Sequence, residues 1–363
     1  MICHRKAKCR RRAVLQATLA LLFILSLSVL LPASSAVADR QPIDEALHWV
    51  RLSPHCLVQY DYMMTARVRL LFFWAGKDDV GGGYIRRGVS DHDSHMEFIE
   101  VLFGSDPEKA PRAINRWGAG TEVSWHKEAV GPGRPEDITS SAFFGFMKSS
   151  SGKSASEMQS ELEREKKQGL HDFTGILSRV EPSRALSLVV PFESSTDFNL
   201  HDYDRAEPMM LEHLADSVRP VRSLQDSSRC QRSAEFLATV AELVDDAEEG
   251  RAAPISRCYV YDAQENALTL EKIARVESLA VHLHGPNGVV LLDSTHKNLL
   301  QLDFVSTHKL SGKKVYFSLC AGTQGPLRGV PVQISYQPNW WFQVVLNLLP
   351  QKAVVPESAI ASR

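Results

Sequence analysis

The segment Asp91-His92-Asp93-Ser94-His95 gathers two imidazoles and two carboxylates within five residues. His282 and His284 stand two residues apart, so on a strand they share one face. Imidazole nitrogen and carboxylate oxygen are zinc ligands, so His92, Asp93, His95, His282 and His284 form the candidate metal set. No fixed spacing joins the two segments. Each also reads as a polar turn or a solvated strand pair.

Arginines supply the second candidate site. Arg67 and Arg69 share a strand face, and Arg86 or Arg87 on the returning strand is expected opposite them. Glu97 and Glu100 on the next strand can answer those charges. One reading is a cross-strand ion ladder. The other is an arginine-lined groove for a carboxylate or phosphate, which a guanidinium binds in bidentate fashion.

The remaining motifs carry less. Ser-x-x-Lys occurs at Ser150–Lys153, Ser294–Lys297 and Ser306–Lys309, in each case without Ser-Asp-Asn or Lys-Thr-Gly. Gly152-Lys153-Ser154 ends like a phosphate loop, but Met147 occupies the place of the leading glycine. Ser154 and Glu157 instead form a capping box that opens a charged helix over 155–168. The spacing assigns no catalytic residue, and an enzymatic role stays open.

These residues need elements to position them. The densest pattern is Tyr60–Val89, read as a hairpin. Ala66, Val68, Leu70, Phe72 and Trp74 alternate into an apolar face expected in the main core. Lys77–Gly83 supplies the expected turn, and Tyr84–Val89 returns. A third strand is expected over His95–Phe103, then a short helix after Pro107, and strands over Thr121–His126 and Ser140–Met147. Thr174–Val180 and Ala185–Phe192 read as a hairpin around Glu181-Pro182-Ser183. Pro208–Ser217 and Ser233–Ala247 read as helices, the second with an apolar face of Phe236, Leu237, Val240, Leu243 and Val244. Asp245, Asp246, Glu248 and Glu249 crowd its end and are expected in solvent.

From Ser256 the pattern is β again, with candidate strands Arg257–Tyr261, Arg275–His284, Val289–Leu292, Leu300–Ser306, Lys314–Cys320, Val330–Tyr336 and Phe342–Leu348. Gly285-Pro286-Asn287-Gly288 is a turn. Trp340 and Trp341 are adjacent, so one or both are expected to pack in the core. The fold class expected is α+β: mostly antiparallel β-sheet, sandwich or meander-like, with a helical block near 203–249. The parts are a β-rich region over 39–200, a helical block over 201–249, a second β-rich region over 250–349 and a tail over 350–363. The two β-rich regions are separate domains or share one sheet.

The chain begins with six basic residues between Arg5 and Arg12, then an uncharged Leu-rich run over 13–31, then Ala36-Val37-Ala38. Basic start, apolar run and small-x-small site make residues 1–38 a secretory signal, with Asp39 as the mature N-terminus. The alternatives are an uncleaved anchor, since the run is long enough to span a bilayer, and a twin-arginine route through Arg11-Arg12. The whole chain carries 41 basic and 43 acidic residues. Loss of 1–38 removes six of the basic ones, which leaves 35 against 43 acids. That balance argues against nucleic acid and anionic membrane as general partners, and no stable span is expected after cleavage.

Cys56, Cys230, Cys258 and Cys320 remain in an oxidising compartment, where two disulfides in three connectivities are open, Cys230–Cys258 being favoured because the two are closest in sequence; the alternative is free buried thiols. The functional expectation is a periplasmic or secreted, non-catalytic protein binding a ligand, such as an organic anion, or a protein partner. The alternative is a secreted hydrolase, assisted by a metal such as zinc.

Overall fold

The computed structural model describes residues 40–52, 54–70, 73–90, 93, 95–127, 136–145, 171–182, 184–194, 196, 198–225 and 235–350. The chain divides into Met1–Gln41 and Pro42–Arg363, and the second unit carries the fold. Helix α1 (Arg40–Arg51) leads into it, burying Ile43, Ala46, Leu47 and Val50 at helical spacing. Seven strands follow in the chain, β1 (Pro54–Leu70), β2 (Phe73–Ser90), β3 (Met96–Ser105), β4 (Trp117–Lys127), β5 (Glu136–Gly145), β6 (His171–Glu181) and β7 (Arg184–Ser194), then α2 (Tyr203–Ala215) and β8 (Arg222–Gln225). Helix α3 (Phe236–Glu248) follows, and then β9 (Ile255–Tyr261), β10 (Gln264–His284), β11 (Val290–His308), β12 (Lys314–Gly322), β13 (Pro331–Asn339) and β14 (Phe342–Leu348).

All fourteen strands belong to one antiparallel sheet, in the order β8-β7-β6-β5-β4-β3-β2-β1-β14-β13-β12-β11-β10-β9. Every neighbour is next in sequence except one. The exception pairs the first strand with the last, from Tyr62 opposite Leu348 to Val68 opposite Phe342. The two β-rich regions are therefore two meanders zipped together at β1 and β14. The sheet stays open between β8 and β9, but its two ends meet through side chains. Arg222 Nη1 lies 2.6 Å from Asp262 Oδ2, Val260 packs on Val180 and Ala185, and the Phe143 and Tyr261 rings stand 5.6 Å apart.

Local chemistry explains many of the hairpins. Glu181 pairs with Arg184 across the Pro182 turn. Asn287 and Gly288 take positive φ at the β10–β11 turn. Asp262 and Ala263 do the same at φ 52° and 49°, closing a two-residue β9–β10 turn.

Several expectations are corrected. The first hairpin turns between Leu70 and Phe73, not at Lys77–Gly83. Gly81–Gly83 lie inside β2, where the strands approach closely: a Cβ on Gly83 would stand 1.7 Å from the Leu102 carbonyl oxygen. The stretch expected in the core is thus a hairpin tip, with Val68 and Trp74 exposed; Phe72 lies outside the described residues. The buried end holds Tyr60, Tyr62 and Tyr84. The helix expected after Pro107 is only a 3-10 turn, Pro111–Ala113. Strands β10 and β11 are each one long strand where shorter pieces were expected. The helical block is minor: two 13-residue helices separated by β8. Asp246 is buried, not solvated, because Arg251 and Arg257 reach it at 2.7 and 2.5 Å. The expected helix over 155–168 and the tail beyond 350 lie outside the described residues.

The helices occupy opposite faces of the sheet. Trp117 and Ala119 of β4 pack with α1 and α2. Glu122, on the other face by strand alternation, meets α3. Helix α3 also covers Leu268, Leu270, Leu302 and Phe304 of β10 and β11.

Candidate functional site

On the α2 face, four neighbouring strands line up one polar row. Gln59 of β1 is opposite Arg86 of β2, Arg86 opposite Glu100 of β3, and Glu100 opposite Thr121 of β4. Directly opposed residues project to the same face, so register alone gathers these groups. Arg86 Nε donates to Gln59 Oε1 at 2.8 Å, and its Nη1 donates to Glu100 Oε2 at 3.4 Å. The guanidinium lies over the Tyr84 ring at 4.0 Å. Tyr84 Oη donates to the other Glu100 oxygen at 2.7 Å.

Helix α2 passes above this row. Its Glu207 accepts from Tyr203 Oη at 3.1 Å. Burial, and after it the charge of Glu100, pushes the Glu207 carboxyl up to about 7. Tyr84 is raised as well, by burial first and then by Glu100.

Between α1, α2 and this strand row lies a cleft of about 900 Å³. Its polar end holds Gln59, Arg86, Glu100, Thr121, Glu207 and Glu212. Trp49, Leu52, Met96, Phe98 and Val123 form an apolar cluster at the other end, with Leu211 above and Arg51 and Ser90 also in the lining. A smaller hollow of about 270 Å³, beside Tyr84, Tyr203 and Asp204, shares Arg86 with it. A concave, mostly apolar space with a few convergent polar groups is the usual form of a small-molecule site.

A second acid cluster sits on the α3 face. Glu122 accepts from the Leu237 and Ala238 backbone N–H groups at 2.7 and 2.8 Å, capping α3 from another element. Glu235 precedes the helix. Both side chains belong to residues only 1% exposed. Burial pushes Glu122 up to about 7, against the pull of the two amides. Burial, then the charge of Glu122, holds Glu235 well above the ordinary carboxylate range.

Of the arginines picked out in the sequence, the structure places Arg86 in the cleft. Arg87 projects to the other face, where its charge acts on Tyr60 and Asp245. Arg67 and Arg69 pair with Gly76 and Trp74 near the hairpin tip, not with Arg86 or Arg87. The shift follows from the misplaced turn.

The candidate metal residues are engaged singly. Asp93 accepts from the His95 N–H at 2.9 Å and from Trp125 Nε1 at 3.0 Å. His282 Nδ1 lies 2.9 Å from Asp293 Oδ1, and the His284 N–H donates to Asp78 Oδ2 at 3.0 Å. His92 lies outside the described residues. Among the described residues no three His, Cys, Asp or Glu side chains form a group able to hold a metal. Cys320 is a free buried thiol. Cys258 is disulfide-bonded, and Cys230 lies outside the described residues.

Sequence reading missed Gln59, Tyr84, Thr121, Tyr203 and Glu207 as site residues, and both acids at α3. Alternation along β2 is the one signal that joins Tyr84 to Arg86. Nothing local marks Glu207 as their neighbour.

No family model matches this chain, and no curated protein does. Among solved structures it is similar to a β-barrel-like protein of the domain of unknown function DUF1849 from Brucella abortus. The identity is 11%, the TM-score 0.39, and the alignment covers 83% of this chain and 97% of that one. The class defined by the fold itself is a mostly antiparallel open sheet with few helices. Among the described residues no helix is long and apolar enough to cross a membrane.

Proposed function

We propose that this chain is an exported, non-catalytic protein that binds an amphipathic organic ligand in the cleft between α1 and α2. The observation that carries the reading is the division of that cleft into an apolar end and a polar end. Arg86 is already held by Gln59, Glu100 and the Tyr84 ring. Arg51 also lines the cleft, its Nη2 donating to the Leu211 carbonyl at 3.4 Å, beside Glu207 and Glu212, so the ligand's head is a polar group that can meet both an arginine and carboxyls.

Native mass spectrometry of the purified exported protein tests this. An organic ligand is expected to co-purify and to be absent from Val123→Trp, which fills the apolar end. A ligand held equally by both proteins would place binding elsewhere. Export itself is supported by the basic start, apolar run and Ala-x-Ala site over 1–38. N-terminal sequencing should begin at Asp39; an intact chain anchored in the membrane would overturn it. Cys230 is the partner we propose for Cys258 because the two lie closest in sequence, with Cys56 the alternative. Mapping the bond by peptide mass before and after reduction is the check.

One observation favours a hydrolase as the second reading. Glu207, pushed up to about 7 by burial and then by the charge of Glu100, shares the cleft with that arginine-paired Glu100, and two carboxyls in unlike environments are an acid/base arrangement. Turnover lost in Glu207→Gln with ligand binding retained would support it. One equivalent of zinc in the purified protein would favour its metal-assisted form.

A further inference from the structure

Pairing of β1 with β14 sets two hairpin tips side by side. Val68 is opposite Phe342, and the Arg69 N–H donates to the Trp341 carbonyl at 2.7 Å. Phe73 is 61% exposed, Trp74 39% and Trp340 69%; these are the exposed Phe and Trp side chains of the described residues. Val68 adds apolar area at 37%. Arg67 and Arg69 flank them on β1, and among the described residues neither forms an ion pair. The nearby acids are already engaged. Asp78 accepts from Thr65 Oγ1 and the His284 N–H, and Asp79 is paired with Lys109 at 3.0 Å.

We propose that the two tips together dock the protein on a lipid surface bearing anionic headgroups. Phe73, Trp74 and Trp340 enter the boundary between headgroups and acyl chains, where an indole keeps its N–H wet and its rings dry. Arg67 and Arg69 meet the phosphates, with their stems along the apolar boundary. A protein partner fits less well. A stable interface buries about 1,600 Å² in total, whereas the exposed apolar side chains offered here are Val68, Phe73, Trp74 and Trp340. A lipid surface needs only a few aromatic side chains and a local positive charge. The exported protein as a whole is acidic, with 43 acidic residues against the 35 basic ones left after loss of 1–38. Attraction is therefore confined to the tips and is weakened by salt.

The test compares the full exported protein with Trp74→Ala/Trp340→Ala and with Arg67→Gln/Arg69→Gln. Each is co-sedimented with vesicles of phosphatidylethanolamine and phosphatidylglycerol, and with phosphatidylcholine alone. Any contribution from the N-terminal apolar run is common to all three proteins. The wild type should bind the anionic vesicles, about tenfold more weakly in the tryptophan variant, and the arginine variant should lose the preference for phosphatidylglycerol. Arg69, Trp74 and Trp340 are exposed and Arg67 is half-buried, so melting should change little; if the double variant misfolds, Trp340→Ala alone serves. Equal vesicle binding by all three proteins, or none by the wild type, overturns the proposal. So does a wild-type dimer that the tryptophan variant abolishes, which would assign the tips to a second copy of the chain.

Discussion

The two faces of this sheet bury acids in opposite ways. On the α2 face Glu100 and Glu207 have a guanidinium beside them and a cleft of about 900 Å³ in front of them. On the α3 face, among the described residues, no cation pairs with Glu122 or Glu235; Glu122 has the amides of a helix N-terminus instead. Glu122 and Glu207 are both pushed up to about 7, so the shift alone does not distinguish them. Room for a ligand does. A buried acid marks a site only where a space opens beside it; elsewhere it holds elements together.

The comparison breaks most readily at Glu122. Glu122→Ala strips two α3 amides of their acceptor, at about 1–3 kcal/mol for each buried group left unsatisfied. We expect a loss of about 2–4 kcal/mol in urea melts, with ligand binding intact. Loss of binding at unchanged stability would exchange the roles of the two faces.

The pH dependence is next. A carboxyl raised in the folded state binds its proton more tightly there than in the unfolded chain. Its stabilising effect is complete below the unfolded value of 4.5 and is lost as pH rises through about 7 for Glu122. Glu235, raised as well by burial and by Glu122, acts in the same direction. Stability should fall from about pH 5 to about pH 7, by up to about 1.4 kcal/mol per unit for each proton. Glu235→Gln should flatten the fall; an unchanged slope would mean that the pair does not titrate in this range.

Smaller effects are expected on the open face. Arg86→Ala leaves Glu100 with Tyr84 as its remaining partner and should cost about 1–2 kcal/mol, together with ligand affinity. A melt unchanged while binding falls would make Arg86 purely a ligand contact. Arg67→Ala, at the tip and outside the cleft, should cost about 0.5 kcal/mol or less. A larger loss would show that the tip is part of the folded core.

Legibility follows the range of the interactions. The Glu181–Arg184 hairpin, the Gly285–Gly288 turn and the apolar stripe of α3 were readable, because turn chemistry and periodicity are properties of neighbouring residues. The first hairpin misled for a related reason. Gly81–Gly83 read as a turn, yet glycine serves equally where backbones crowd, and the choice depends on Leu102 and Gly104 of another strand. Asp246 read as solvated because Arg251 and Arg257 reach it only once α3 and β9 are packed.

The amino-acid sequence by itself determined the β-rich character, the chain of local hairpins and the amphipathic helices, since each rests on contacts a few residues apart. Only the tertiary structure decided that β1 pairs with β14, that Arg86 and Glu207 share a cleft, and that Glu122 caps α3. These meetings join residues more than a hundred positions apart. No local pattern encodes them, because the burial and charge that define each site come from the other partner.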